Sequence, residues 1–263
     1  MTDTDLWVRR FHPADEAATR LLCLPHAGGS ASYFARVART LAPEVDVLAV
    51  QYPGRQDRLR EPGLTSVHEI ADQLVTVLLP LVDRPITVFG HSLGATIGYE
   101  VALRLRRAGV GPTALFVSGR RAPHLRKEER THLRDDAGLI AEVRALAGTD
   151  SALLKDEDVL RMVLPAIRSD YTAAETYEYR PGPRLDCPIV AHIGDSDPRV
   201  TVDEAKAWRE HTDAGFEFVV HPGGHFYLND NMSAVLRSIR AHTRSLSSAS
   251  RGAATVAHAE QPG

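Results

Sequence analysis

In ITVFGHSLGATIGYEVALRLRR, residues 86–107, an apolar run passes through a glycine-flanked serine into an amphipathic one. Ile86 to Phe89 is a short apolar run of the kind that a strand covered on both faces requires. Leu93 to Ala108 reads as a helix through Ile97, Tyr99, Val101 and Leu103. Between them Gly90-His91-Ser92-Leu93-Gly94 turns the chain from strand to helix, so the serine sits at a tight, strained corner with its hydroxyl above the sheet. Glycines flank it because a Cβ at either position would collide with the neighbouring strand and helix. The helix N-terminus favours negative charge that develops beside the serine. This pattern marks Ser92 as a candidate nucleophile.

Outward from that corner, similar apolar runs recur at Arg20–Leu24, Val45–Val50, Ala114–Val117, Ile189–Ile193 and Phe216–Val220. Helical stretches lie between them: Ser30 to Leu41 behind a candidate serine cap, Ser66 to Val82, Val202 to His211 and Asn231 to His242. Alternating strands and helices with short connections imply a doubly wound, mostly parallel α/β sheet. The alternation breaks once. Residues 120–184 contain no convincing strand and are read as a helical lid inserted over the strand ends, too long for an ordinary connection. The core is therefore expected over 1–119 and 185–244. The Ser-, Ala- and Gly-rich end, 245–263, is expected to be a disordered tail.

Composition narrows the function. A formal charge of −3 over 263 residues speaks against a polycation, so a nucleic-acid partner is not expected. No apolar run approaches the ~20 residues of a membrane span, and no apolar block follows the acidic start MTDTDLWVRR; no membrane partner and a cytoplasmic location are expected. Cys23 and Cys187 lie inside apolar runs, as packing residues do, outside any metal or redox spacing. Histidines lack metal-ligand company, so neither a metal nor a cofactor is expected. His91 is expected to pack beside the corner, with His12, His68, His211, His242 and His258 on the solvated surface.

A serine nucleophile needs a base, and the base needs an acid to orient it. On this architecture they follow in the order Ser, acid, His, each after a later strand. The run ending at Ile193 leads into Gly194-Asp195-Ser196-Asp197, and the run ending at Val220 leads into His221-Pro222-Gly223-Gly224-His225. Asp197 lies further out in its loop than Asp195 and can reach a histidine, whereas Asp195 is placed to cap the turn. His225 is preferred over His221 because Gly223 and Gly224 let the backbone fold back over the serine. The oxyanion hole would take one backbone N–H from Leu93. The other would come from Ala27 in the glycine-bearing loop Leu24-Pro25-His26-Ala27-Gly28-Gly29-Ser30.

Several stretches together, LPHAGGSASYF (24–34), YPGRQDR (52–58), FGHSLGA (89–95), VSGRRAP (117–123), GDSDP (194–198) and GGHFYL (223–228), resemble the type II thioesterases. These are stand-alone α/β-hydrolases that serve polyketide synthases and non-ribosomal peptide synthetases. The resemblance runs from about Leu21 to His242. It implies an α/β-hydrolase fold with a lid and carries the family's nucleophile, acid and base onto Ser92, Asp197 and His225, with the oxyanion donors on Ala27 and Leu93. It further implies hydrolysis of aberrant or stalled acyl groups from the phosphopantetheine arm of acyl or peptidyl carrier proteins, as in antibiotic biosynthesis.

His26, Phe226, Met162 and Val163 are candidates for contact with the acyl group. Leu139, Ile140, Val143, Leu146, Val159 and Leu160 could join the last two in roofing a channel. Residues 119–134 carry six basic and two acidic side chains. Arg121, Arg126, Lys127 or Arg130 could meet an acidic carrier, but a solvated helix face laced with i,i+4 pairs is the favoured reading. A monomer is expected. The alternatives are a carboxylesterase or lipase acting on oxygen esters, an acyltransferase, and a non-catalytic binding module on the same fold.

Overall fold

The computed structural model describes residues 3–147 and 157–259. In chain order it contains α1 (Asp3–Trp7), β1 (Val8–Arg9), β2 (Thr19–Leu24), α2 (Ala35–Leu41), β3 (Val45–Val50), α3 (Val67–Leu78), β4 (Ile86–His91), α4 (Leu93–Arg107) and β5 (Ala114–Ser118). Helices α5 (Asp136–Ala147) and α6 (Glu157–Glu175) follow, then β6 (Ile189–Gly194), α7 (Val202–Lys206), β7 (Phe216–His221) and α8 (Leu228–Ala259). The strands form one sheet in the order β1-β3-β2-β4-β5-β6-β7. Every pairing from β3 to β7 is parallel, and β1 adds an antiparallel edge with Val8 opposite Val50.

Side-chain alternation explains the two-sided burial. Leu22 and Leu24 point to the face covered by α3 and α4, where they meet Ile70, Leu74 and Ile97. Leu21 and Cys23 point to the other, with Phe34 and Val37 beside them and Val235 and Ile239 from α8. Both cysteines are free and buried. The expected strands agree with the observed ones to within two residues. The short β1 is an addition that no period could reveal, being only two residues long.

Several expectations need correction. Ser30 makes no capping bond; its hydroxyl pairs with that of Ser32 at 2.8 Å. Ser66 does cap α3, accepting from the Glu69 N–H. His211 is buried, not solvated: it accepts from or donates to Tyr99 Oη at 3.1 Å and packs on Trp208. His68 and His242 are half-buried, the first against Tyr177 and the second against Phe116. An imidazole at a core-facing position hides its ring and keeps a polar atom bonded. His12 is exposed as expected, and His258 lies outside the described side chains. The basic stretch is a loop over 121–130, not a helix, so the i,i+4 pairs do not exist. Arg121 is buried there and paired with Glu129.

The insertion between β5 and β6 carries no strand over its described residues. Leu139 of α5 and Leu164, Ile167 and Tyr171 of α6 form a small core of their own. At the other end α8 runs on to Ala259, through most of the stretch expected to be disordered. Once a packed turn has nucleated a helix, alanine-rich sequence extends it at little cost.

Candidate active site

Ser92 links β4 to α4 with φ 53° and ψ −117°, a left-handed conformation that costs a non-glycine residue energy. The surrounding backbone enforces it. Ser92 N–H donates to Ser118 O at 2.8 Å. A Cβ on Gly90 would lie 2.1 Å from Gly94 O, and one on Gly94 would lie 2.1 Å from Leu24 O. Only glycine permits this approach of β2, β4 and the start of α4, which lifts the serine hydroxyl clear of the sheet.

The loops after β6 and β7 are pressed together in the same way. A Cβ on Gly194 would lie 2.2 Å from Gly223 O and 2.3 Å from Gly224 O. Gly223 adopts φ +119°. Asp195 is exposed, and its carboxylate accepts from the Gly223 N–H at 3.0 Å, which caps the turn. The Asp197 carboxylate is fully buried. It lies 2.9 and 3.1 Å from His225 Nδ1 and accepts a further bond from the Arg199 N–H at 2.8 Å. His225 Nε2 stands 3.0 Å from Ser92 Oγ. With Nδ1–H donating to the carboxylate, Nε2 is left as the acceptor for the serine proton.

Three imidazoles cluster here, but only His225 meets a carboxylate. Burial pushes His26 down to about 3, aided by the charge His225 can carry. Burial likewise holds His91 well below the usual histidine range. His91 Nδ1 is 2.9 Å from Ser118 Oγ, which in turn bonds Tyr227 Oη at 2.6 Å. His91 thus packs beside the corner, as expected. His221 stacks on Tyr227 and bonds His192 at 2.9 Å, which makes it part of the framework.

A narrow cleft, open to solvent, leads to Ser92. Ala27 and Leu93 line it, as do His26 and Phe226. Leu93 opens α4, so its N–H has no acceptor within the helix. Ala27 lies within the tight turn closed by Gly29 N–H donating to His26 O at 2.9 Å. Leu146, Tyr171 and Ala174 roof the cleft from α5 and α6. Met162 does not line it; half its surface is exposed on the outer side of α6. Val163 packs against the small core of α5 and α6 and is not among the described residues that line the cleft. Charged residues given no role at the site by the sequence, Arg120, Glu129, Glu175 and Arg199, complete the wall. For Arg120 a signal existed, since it lies two residues past the C-terminal end of β5, the edge where such sheets place their sites. Arg120 is nevertheless tied down, donating to Thr96 Oγ1 at 2.8 Å and Ala174 O at 3.1 Å. Among the described residues no group of His, Cys, Asp and Glu is placed to hold a metal ion, and no helix is long and apolar enough to cross a membrane.

The arrangement can take a proton from Ser92 and hold the imidazolium that results. The family model for the thioesterase domain matches residues 19–243. A thioesterase of Streptomyces venezuelae, PikA5, is 51% identical over 242 residues, covering 91% of this chain and 86% of its own. Among solved structures, the type II thioesterase BorB of the borrelidin biosynthetic cluster superposes with a TM-score of 0.88 at 51% identity, covering 92% of this chain and all of its own. RedJ, a thioesterase of the prodiginine biosynthetic pathway in Streptomyces coelicolor, gives a TM-score of 0.80 at 38% identity, with 88% of each chain covered.

Proposed function

The chain belongs to the thioesterase family, and from that premise we propose that it hydrolyses acyl groups from the phosphopantetheine arm of acyl or peptidyl carrier proteins in polyketide or non-ribosomal peptide biosynthesis, through an acyl-enzyme on Ser92. Its membership makes it a thioester hydrolase of the α/β-hydrolase fold. The observation that carries the mechanism is the continuous chain of bonds from Asp197 through His225 to Ser92 Oγ.

In this reading His225 Nε2 accepts the Ser92 proton as Oγ attacks the thioester carbonyl. Asp197 fixes the tautomer and stabilises the imidazolium. The carbonyl oxygen becomes an anion beside the N–H groups of Ala27 and Leu93. Collapse breaks the C–S bond and releases the pantetheine thiol, which takes the proton from His225. Water then gives a proton to His225 and attacks the acyl-enzyme; collapse breaks the acyl C–Oγ bond, His225 returns the proton to Ser92 Oγ, and the acid leaves. The thiol is a good leaving group, so the acid role of His225 matters less than it would for an amide. The clearing of aberrant or stalled acyl groups is the physiological role this chemistry suits.

Intact-protein mass spectrometry tests it. An acyl-phosphopantetheinyl carrier protein is incubated with the enzyme and with Ser92→Ala, beside the matching small-molecule acyl thioester. We expect the acyl mass to be lost only with Ser92 present, and faster from the carrier than from the small thioester. An unchanged carrier, with Ser92-dependent cleavage of simple oxygen esters, would identify a general esterase instead.

A further inference from the structure

The loop expected to supply an oxyanion donor, Pro25 to Ala31, is gripped at four backbone atoms. Tyr52 Oη donates to Pro25 O at 3.3 Å, and Ala31 N–H donates to Gln51 Oε1 at 2.9 Å. Arg55 Nη1 donates to Gly29 O at 3.0 Å. The fourth grip comes from the lid. Asp170 of α6 accepts from the Gly28 N–H at 2.7 Å. The same carboxylate takes both terminal nitrogens of Arg55, at 2.6 and 2.8 Å, and the two side chains are only 2% and 5% exposed. Ile167, one turn before Asp170, packs so closely that a Cβ on Gly28 would lie 2.9 Å from its Cγ1.

We propose that Asp170 and Arg55 are positioning residues for the oxyanion hole: the lid helix delivers the carboxylate that fixes the backbone just after Ala27, at Gly28 directly and at Gly29 through Arg55, so the Ala27 N–H is aimed only while α6 is docked. The physical case rests on two costs. Without Asp170 the Gly28 N–H loses its acceptor and a buried guanidinium loses its charge partner. The loop then shifts to find other partners, and a displacement near 1 Å in such a donor costs about 100-fold in rate. The bidentate pair suits this task because two parallel bonds fix orientation as well as distance. The pairing also gives a role to the PGR stretch, which the reaction itself does not use. The proposal rests on the reading of Ser92 as nucleophile and Ala27 as donor.

The test compares Asp170→Asn and Arg55→Lys with the parent on a small acyl thioester, which needs no carrier docking. Both variants keep nearly the original volume, which disturbs the packing less than Asp170→Ala would; circular dichroism melts check that they fold. We expect kcat to fall about 10- to 100-fold, with KM within about threefold. Inhibition by an alkyl trifluoromethyl ketone, whose hemiketal with Ser92 places an oxyanion in the hole, should weaken by the same factor as kcat. A lowered Tm with kcat and ketone inhibition unchanged would overturn the proposal and leave a structural ion pair, as would a rise in KM alone. Ser92→Ala is run alongside. If it keeps hydrolysing the thioester, the serine reading fails; if it is dead while Asp170→Asn is fully active, only the positioning role fails.

Discussion

Asp195 and Asp197 sit two positions apart and do unlike work because one faces water and the other does not. The Asp195 carboxylate closes a turn at the surface, whereas that of Asp197 is fully buried between His225 and the Arg199 N–H. Asp197→Asn leaves the shape and removes the charge, so the ring can turn its wrong nitrogen to the serine; kcat should fall by about 10⁴-fold. Asp195→Asn keeps an acceptor for Gly223 and should leave kcat within a few-fold and stability within about 1 kcal/mol. Steady-state kinetics and melts on the two variants, on one substrate, check the contrast, and equal losses would contradict it. The candidate nucleophile, acid and base were legible because each follows an apolar run that could hardly be anything but a strand. The choice between the aspartates rested on reach and on the resemblance to the type II thioesterases; in the structure the glycine contacts that bring the two loops together set the Asp197 carboxylate against His225. Arg55 and Asp170 were not legible as partners. They lie 115 residues apart, and nothing in either neighbourhood announces the other.

At the scale of the element, α6 shows where periodicity was available and not fully used. Leu160, Leu164, Ile167 and Tyr171 recur at four, seven and eleven residues and are all buried, which is the stripe that faces inward. Met162 is two residues, about 200° round the helix, from Leu160, so it points outward. Val163 sits at the edge of the stripe and packs against the small core of α5 and α6. The existence of a helical insertion could be read from a missing strand, but its attachment could not, because it depends on Ile167 against Gly28 and on the buried ion pair. The small separate core of α5 and α6 should behave as a unit that opens without the sheet. Leu164→Ala, which deletes part of that core, should speed amide hydrogen exchange in α5 and α6 by tenfold or more while peptides from β2, β4 and β5 stay protected. Exchange that rises uniformly across the sheet would mean the lid and the core open together.

Taken whole, the molecule buries more histidine than its sequence suggests, and this has a consequence for stability. His91, His192 and His211 are each no more than 3% exposed. Burial is the leading cause in each of a pKa below the usual 6.5: well below for His91, about 3 for His192 and about 4 for His211. Their hydrogen bonds run to Ser118 for His91, to His221 for His192, and to Tyr99 and His124 for His211; none of these is a carboxylate that would hold a proton on the ring, and a charged His221 or His124 would repel one. In the unfolded chain the same imidazoles titrate near 6.5. Between roughly pH 6.5 and 4 the unfolded state therefore binds protons that the folded state refuses, and stability rises with pH across that window. The contribution is complete above 6.5 and is lost on acidification, at up to about 1.4 kcal/mol per pH unit for each ring. Melting followed by circular dichroism should be nearly flat from pH 8 to 7 and should drop steeply below 6.5. His192→Phe retains a flat ring against Phe116, which His192 stacks on at 17°, and gives up one titrating group. It should cost stability at pH 8 through the lost bond to His221 yet show a shallower fall between pH 6.5 and 5. A variant curve parallel to the parent's would show that His192 is not among the groups that set the acid limit.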